Sequence, residues 1–312
     1  MSHERSVGPR GQTTGIAILA LAVLAAVLPP LAEAAGGTLD RIREAGRISL
    51  GYRVDARPFA FKDESGKPAG YSVALCQKVA DQVKADLGLA TLAVEWVPVT
   101  VDDRFRAVQE GKIDLLCGAD SATIARRKDV AFSIPTFPGG IGALVRSDAS
   151  FRLKEVLSQQ KPSRPFWRGS PAQLLEQQTF SVLKGTTSEA WLAGRIGALG
   201  IAAKVSPVES YDAGIRRVLD RSTNVFFGDR AILVDAWRRS ASAQDLQVLD
   251  RRFTDEAFAL ALARGDEDFR LVVDRTLSRL FLSDAFRGLY AKSFGELTDP
   301  VRTFFHLSAL PE

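Results

Sequence analysis

Short apolar runs alternate with longer amphipathic segments along most of this chain. The apolar runs predict buried strands at residues 48–51, 92–99, 113–117, 180–183, 203–205, 225–227 and 257–263. Residues 59–70 carry turn residues at 65–68 and are typical of a hairpin. The strand-then-helix order that follows predicts an α/β fold with largely parallel sheets.

Polar residues that can cap a helix stand at the start of the amphipathic segments. The predicted starts are Ser72, Asp102 or Asp103, Thr187 or Ser188, Ser210, Asp229 and Asp266, with a further short helix at 124–129. In parallel sheets, ligands bind beyond the carboxyl ends of the strands, where helix N-termini present backbone N–H groups. Polar side chains at these positions are therefore candidates for a binding site.

Seven polar residues follow predicted strands in this way: Arg53, Arg104, Ser121, Arg126, Thr187, Tyr211 and Asp229. Taken singly, an arginine near a helix start is usually a surface residue, and a Ser, Thr or Asp there is usually a cap. Together, the guanidinium groups, hydroxyls and lone carboxylate suit a ligand with an α-carboxylate, an ammonium group and a second acidic group. Arginine pairs with carboxylates in a bidentate manner, and an aspartate matches an ammonium group.

The first 35 residues have the order of a secretory signal peptide. Arg5 and Arg10 precede an apolar run over residues 15–28, which ends at two prolines and is followed by small residues at Ala32 and Ala34. We expect cleavage near Ala34 or Ala35 and export to the periplasm. An uncleaved anchor is the alternative, although the apolar run is short for a membrane span.

Charge and histidine content argue against several classes of protein. The 41 basic and 37 acidic residues are interspersed, whereas a nucleic-acid surface usually concentrates its positive charge. Only His306 lies beyond the signal segment, so neither a Ser-His-Asp triad nor a multi-histidine metal site is expected. Phosphate-loop and dinucleotide fingerprints do not occur in the sequence. We therefore expect no metal, no cofactor and no nucleic-acid partner.

The two cysteines leave alternatives open, and one segment interrupts the pattern. Cys76 and Cys117 are the only cysteines, and in an exported chain they form either one disulfide or two buried free thiols. Residues 159–171 are rich in Pro and Gly, interrupt the alternation of elements, and predict a surface loop.

Several motifs carry a resemblance to a known family. They are Thr38-Leu39-Asp40, Gly51-Tyr52-Arg53, Pro58-Phe59, Gly70-Tyr71-Ser72, Gly111-Lys112-Ile113-Asp114, Cys117-Gly118, Arg126 with Phe132-Ser133, Gly185-Thr186-Thr187-Ser188-Glu189 and Gly228-Asp229. With these motifs the chain resembles the periplasmic solute-binding proteins (family 3) of ABC transporters for polar amino acids. It is most similar to the glutamate/aspartate-binding branch, from about Thr38 to about Phe294.

The resemblance implies a role for each candidate residue. Arg126 and the Ser121 hydroxyl would hold the α-carboxylate of an amino acid, and Asp229 would hold its ammonium group. Arg53 and Arg104 would meet a distal acidic group. The remaining positions implied in the pocket are Ala119, through its backbone carbonyl, Thr187 and Tyr211.

Some positions depart from the family pattern. The close relatives carry a hydroxyl residue at Val101, a serine at Ala119 and a histidine at Tyr211, and the usual Pro-Glu is Ile124-Ala125 here. The clamp for an α-amino acid is thus kept while the side-chain pocket has changed. The exact amino acid or dicarboxylate is left open.

The resemblance also implies a two-lobed fold of the type II periplasmic-binding-protein class, with a ligand cleft between the lobes. We expect a signal peptide at 1–35, a first lobe at 36–143 and 256–312, and a second lobe at 144–255. A monomer would capture a polar, acidic amino acid by hinge closure and deliver it to a membrane permease. We do not expect an enzyme.

Two other functions are kept as alternatives. Some relatives of this fold resemble dehydratases of prephenate-type substrates, and Glu189 is the acid that could then serve as general acid or base. A sensory ligand-binding protein that is read by a separate partner is the other alternative.

Overall fold

The computed structural model describes residues 37–158 and 170–312. The predicted signal peptide and residues 159–169 of the predicted loop lie outside the described residues. The strands are β1 Arg47–Arg53, β2 Asp55–Ala56, β3 Ala60–Lys62, β4 Pro68–Ala69, β5 Ala93–Val99, β6 Leu115–Leu116, β7 Ala131–Phe132, β8 Phe137–Gly139, β9 Ile141–Arg146, β10 Thr179–Leu183, β11 Lys204–Val208, β12 Val225–Asp229, β13 Leu246–Val248, β14 Glu256–Phe258 and β15 Ala261–Leu262.

The helices are α1 Thr38–Ala45, α2 Tyr71–Asp86, α3 Arg104–Gln109, α4 Phe151–Ser158, α5 Pro171–Glu176, α6 Thr187–Leu199, α7 Tyr211–Leu219, α8 Arg230–Arg239, α9 Glu267–Phe281, α10 Asp284–Phe294 and α11 Asp299–Ser308. A 3₁₀ helix at Arg126–Lys128 and another at Ala243–Asp245 complete the set. Within the described residues, no helix is both long enough and apolar enough to cross a membrane.

Two five-stranded sheets organise the chain. The first sheet has the order β5-β1-β6-β15-β7, and the second has the order β11-β10-β12-β9-β13. In the first sheet β1 is parallel to β5 and β6, but β15 is antiparallel to both of its neighbours. In the second, β10 is parallel to β11 and β12, but β9 is antiparallel to β12 and β13. The expectation of largely parallel sheets is therefore wrong for the pairings that β15 and β9 make with their neighbours.

The strands β8 and β14 connect the two sheets. They pair antiparallel, with Glu256 opposite Gly139 and Phe258 opposite Phe137. β8 leads into β9 of the second sheet, and β14 leads into β15 of the first. A Cβ atom on Gly139 would lie 2.4 Å from the Phe258 ring, so only glycine permits this close pairing. The fold is thus a two-lobed α/β structure, with one sheet at the centre of each lobe.

The predicted lobe boundaries stay a prediction. β9 begins at Ile141, before the predicted boundary between residues 143 and 144, and β14 begins at Glu256 as that division expects. Below, "first lobe" means the elements around the first sheet, and "second lobe" means those around the second sheet.

Two of the predicted caps are confirmed, and the predicted cap at Ser72 is wrong. The Ser210 and Asp266 side chains accept hydrogen bonds from Ala213 N–H and Phe269 N–H, as capping residues do. Ser72 does not cap α2, because the helix begins at Tyr71 and the Ser72 hydroxyl donates to the backbone oxygen of Gly118 at 2.9 Å. That bond ties α2 to the turn that follows β6.

Three other predicted elements differ in length or type. The predicted strand at 113–117 is reduced to two residues, and the one at 257–263 is split between β14 and β15. The predicted helix at 124–129 is a single 3₁₀ turn. Pro171 begins α5 after a Ser170 cap, rather than ending a loop.

Cys76 and Cys117 form a disulfide in the structure, with their Cα atoms 6.1 Å apart. Both residues are fully buried in the first lobe. The bond joins the middle of α2 to the residue that precedes the turn Gly118–Ala119–Asp120–Ser121. The turn that carries candidate site residues is therefore attached covalently to the helix beneath it.

Candidate functional site

Arg53 is the last residue of β1 and is only 3% exposed. Its guanidinium donates to both carboxylate oxygens of Asp55, from Nε at 3.0 Å and from a terminal nitrogen at 3.1 Å. Burial opposes the charge on Arg53, but Asp55, Tyr211 and Asp120 together outweigh it and hold the pKa of Arg53 above its usual value. Arg53 is thus a fixed cation that already has one anionic partner.

Arg104 is the first residue of α3 and is equally buried. Its Nε donates to Asp120 Oδ1 at 2.6 Å, and a terminal nitrogen donates to the backbone oxygen of Val101. The other carboxylate oxygen, Oδ2, is buried and has no hydrogen-bond partner among the described residues. It lies over Gly118, where a Cβ atom would come within 2.3 Å of it. The Asp120 side chain therefore depends on glycine at position 118.

Arg126 lies at the start of the 3₁₀ turn, beside Arg104. One terminal nitrogen donates to the backbone oxygen of Ser121 at 2.9 Å. The ring of Phe105 lies under both guanidinium groups, 4.3 Å from the central carbon of Arg104 and 5.0 Å from that of Arg126. Burial lowers the pKa of Arg126, and the charge of Arg104 adds to this while Asp120 opposes it. The positive charge of Arg126, the expected α-carboxylate clamp, is thus only partly balanced by nearby carboxylates.

Ser121 and Thr187 bring the two lobes together. Ser121 belongs to the turn after β6, and Thr187 is the first residue of α6, yet their hydroxyl oxygens are 3.5 Å apart. Both hydroxyls donate to the same oxygen of Glu256, at 2.5 Å from Ser121 and 2.9 Å from Thr187. Glu256 was not among the predicted site residues.

Asp229 ends β12 and is 6% exposed. The hydroxyl of Tyr211, at the start of α7, donates to its Oδ2 at 3.0 Å and accepts from its backbone N–H at 3.2 Å. Burial raises the pKa of Asp229 to about 6, although Tyr211, Arg53 and Arg126 favour the charged form. Burial also raises the pKa of Tyr211 well above its usual value. The second lobe therefore carries a carboxylate, that of Asp229, whose pKa is raised above its usual value.

The predicted polar residues form one electrostatic cluster. Asp229 interacts with the charges of Arg53, Arg126 and Glu256. Asp120 acts on the charges of Arg53 and Arg126 and pairs with Arg104. Cations from the first lobe thus face a carboxylate of the second. The arrangement can hold a small zwitterion between Arg126 and Asp229.

Ala119 lies in the same turn and is buried. Its neighbours in the chain are Gly118 and Asp120, and its side chain contributes no polar group to the cluster. The expected part of Ala119 rests on its backbone carbonyl and stays a prediction.

Sequence reasoning missed three acidic residues of the cluster: Asp55, Asp120 and Glu256. Asp55 follows the end of β1 by two residues and Asp120 follows the end of β6 by four, the same signal that identified the arginines, whereas Glu256 opens β14. Charge balance could also have indicated them, since buried guanidinium groups need anionic partners. In the described residues, no group of three or more His, Cys, Asp or Glu side chains is placed to hold a metal ion.

The family of bacterial extracellular solute-binding proteins, family 3, matches residues 48–296. The chain belongs to this family. The match covers both lobes, including β1 with Arg53, the turn with Ser121, α6, β12 and β14. The predicted family and the predicted fold class are both confirmed.

Two curated relatives match almost the whole chain. The L-glutamate/L-aspartate-binding protein of Pseudomonas aeruginosa is 27% identical over 286 residues, which are 91% of this chain and 89% of the relative. The glutamate/aspartate import solute-binding protein of Escherichia coli is 25% identical over 285 residues, with 91% and 88% covered.

Solved structures show the same fold. An arginine-binding protein variant from T. maritima aligns with a TM-score of 0.67 at 24% identity, covering 83% of this chain and 99% of that one. An ancestral amino acid-binding protein, described as a precursor of cyclohexadienyl dehydratase, aligns with a TM-score of 0.66 at 24% identity, covering 83% and 100%.

Proposed function

We propose that this protein captures a polar amino acid in the periplasm and delivers it to an ABC transporter, with glutamate and aspartate as the first candidate ligands. Its membership of the solute-binding family supports the class of function. The names of the Pseudomonas aeruginosa and Escherichia coli relatives support acidic amino acids.

One observation carries the proposal: Arg126 of the first lobe interacts electrostatically with Asp229 of the second, across the cleft. A free amino acid carries a carboxylate and an ammonium group on one carbon atom. Arg126 would take the carboxylate and Asp229 the ammonium group, so that the half-buried guanidinium and the buried carboxylate each gain a partner.

Capture would couple binding to closure of the lobes. Arg126 and Ser121 belong to the first lobe, whereas Thr187, Tyr211 and Asp229 belong to the second. A ligand held by both sets stabilises the closed form, because only that form makes all the contacts. Closure expels water and strengthens each charge pair. A permease would then distinguish the closed shape from the open one.

The proposal assigns binding without chemical conversion. Glu189 was the acid that an enzyme on this scaffold could use, and its Oε2 accepts a hydrogen bond from the backbone N–H of Gly185 at 2.8 Å. That contact is typical of a carboxylate in the first turn of a helix. It favours a structural role for Glu189 in α6.

A thermal-shift screen of the exported chain, beginning at residue 36, tests the proposal. Amino acids and dicarboxylates would be compared, since a ligand that binds only the folded state raises the melting temperature. We expect glutamate or aspartate to give the largest rise and Arg126→Ala to remove it. No rise with any amino acid would overturn the proposal, and a full rise in Arg126→Ala would overturn the site.

A further inference from the structure

Glu256 occupies a special place in the chain. It opens β14, one of the two strands that join the lobes, and it pairs with Gly139 of the other. Its Oε1 accepts a hydrogen bond from the hydroxyl of Thr254 at 2.8 Å, which fixes the orientation of the carboxylate. The carboxylate is therefore held at the point where the chain returns from the second lobe to the first.

The other oxygen of Glu256 links the lobes directly. Its Oε2 accepts from the first-lobe hydroxyl of Ser121 at 2.5 Å and from the second-lobe hydroxyl of Thr187 at 2.9 Å. Hydrogen bonds to a charged acceptor are stronger than those between neutral groups. A single carboxylate thus holds three segments together: the turn after β6, the N-terminus of α6, and β14.

These two bonds use the hydroxyl protons that a ligand would need. Each hydroxyl has one proton to donate. Ser121 is the hydroxyl expected to bind the α-carboxylate next to Arg126, and Thr187 is a hydroxyl expected in the same pocket, yet both protons point to Glu256. Glu256 also interacts with the charges of Arg126 and Asp229. Its carboxylate therefore has the hydroxyl donors, and part of the electrostatic surroundings, that a bound α-carboxylate would have.

We propose that Glu256 is an affinity-determining residue that acts as an internal substitute for the ligand carboxylate. Before ligand binds, it bridges Ser121 of the first lobe and Thr187 of the second and so favours contact between the lobes. An incoming carboxylate must take these two donors from Glu256, so that the residue competes with the ligand. This inference rests on the proposed function for the identity of the ligand, but the bridge itself does not.

The test compares Glu256→Ala and Glu256→Gln with the neighbouring variant Asp255→Ala, whose side chain is exposed and pairs with Arg252. Calorimetry with glutamate and aspartate would measure affinity, and small-angle scattering without ligand would measure compactness. We expect Glu256→Ala to bind about tenfold more tightly, since two donors are released, and to be less compact without ligand. Asp255→Ala should match the wild type in both.

A double-mutant cycle with Ser121→Ala separates competition from simple support of the site. In the wild type, Ser121→Ala should change the affinity little, because that hydroxyl is engaged by Glu256. In the Glu256→Ala background, the same change should weaken binding, because the hydroxyl then serves the ligand. Equal effects of Ser121→Ala in both backgrounds, or weaker binding by Glu256→Ala and Glu256→Gln in folded protein, would overturn the proposal.

The scattering measurement stays decisive even if no amino acid binds to any variant. That result would end the proposed function but not the bridge. Greater expansion of Glu256→Ala than of Asp255→Ala would still support the bridge, and equal compactness would refute it. Circular dichroism of each variant confirms folding, and Glu256→Gln, which keeps the side-chain size, provides the second measurement if Glu256→Ala does not fold.

Discussion

Tyr211 and Asp229 exchange two hydrogen bonds, in which the tyrosine hydroxyl donates to the carboxylate at 3.0 Å and accepts from the aspartate N–H at 3.2 Å. The carboxylate is buried, so its charge is costly until a cation arrives. Tyr211 offsets part of that cost and fixes the direction of Asp229. The pair stands where the proposed ligand would place its ammonium group.

Binding should weaken as the pH falls below about 6, the value to which burial raises the pKa of Asp229. A protonated Asp229 has no charge for an ammonium group. The affinity for glutamate should then fall by up to about tenfold per pH unit. Calorimetry between about pH 8 and about pH 5 measures this slope. Asp229→Asn should bind weakly and without this slope, and a pH-independent wild-type affinity would contradict the prediction.

Asp229 should also make the unliganded protein less stable as the pH rises. Its folded pKa of about 6 exceeds the ordinary value of 3.8, so the folded state binds the proton more tightly. The stabilisation is fully present below the ordinary pKa and is lost as the pH rises through the folded one, by about 3 kcal/mol in total. Urea unfolding of Asp229→Asn should lack this contribution when it is compared with the wild type across that range.

Tyr211→Phe should move the pH dependence of binding upwards. The tyrosine hydroxyl lowers the pKa of Asp229, so its removal raises that pKa further above about 6. Binding would then be lost at a higher pH than in the wild type. Tyr290→Phe, in the aromatic cluster with Phe286 and Phe305, is the matched control. An unchanged midpoint in Tyr211→Phe would show that the hydroxyl does not tune Asp229.

Arg126→Lys should retain only part of the affinity that Arg126→Ala loses. Removal of one partner from a buried, hydrogen-bonded charge pair costs about 2 to 5 kcal/mol, or roughly thirtyfold or more. Lysine keeps the charge but lacks the planar fork that matches a carboxylate. Arg127→Ala, at the exposed neighbouring position, should bind like the wild type. Calorimetry on the three variants decides, and equal losses at positions 126 and 127 would count against the clamp.

Asp120→Asn should increase the preference for glutamate over glutamine. Asp120 pairs with Arg104 at 2.6 Å, so its charge partly cancels the cation expected to meet a distal carboxylate. An amide of the same size removes that charge and leaves Arg104 free to attract an acidic side chain. The dissociation constant for glutamine divided by that for glutamate measures the effect and should rise in the variant. A lower or unchanged ratio would mean that Arg104 does not meet the ligand side chain.

The disulfide should contribute about 4 kcal/mol to stability, since it closes a loop with a sequence separation of 41 residues. The Cys76→Ala/Cys117→Ala variant should melt about 10 °C lower than the oxidised wild type. Reductant should lower the melting temperature of the wild type and leave that of the variant unchanged. Equal sensitivity of the two proteins to reductant would contradict this role.

The alternation of strands and helices was predictable because burial imposes a period on each element. The strand at β1 and the helix at α9 follow directly from apolar spacing and a capping aspartate, Asp266. The strands β6, β14 and β15 were less predictable, because tertiary packing decided where these short runs pair. The antiparallel direction of β15 also depends on a chain return that no local pattern encodes.

The basic half of the candidate site could be predicted, and much of its acidic half could not. Arg53, Arg104 and Arg126 stand at strand ends or helix starts that the sequence marks. Their partners Asp55 and Asp120 look like ordinary turn residues, and Glu256 lies 135 residues from Ser121 and 69 residues from Thr187, the hydroxyls that it bonds. Such contacts between residues far apart in sequence form only in the folded protein, so no local pattern of the sequence indicates them.

The antiparallel pair of β8 and β14 limits how the molecule can move. Two hydrogen-bonded strands twist together, so we expect the lobes to move mainly about the axis of this pair. Glu256 and Gly139 face each other on that axis. A small rotation there would displace the far ends of the lobes by much more, so the residue that we propose competes with the ligand also lies where the lobes would turn.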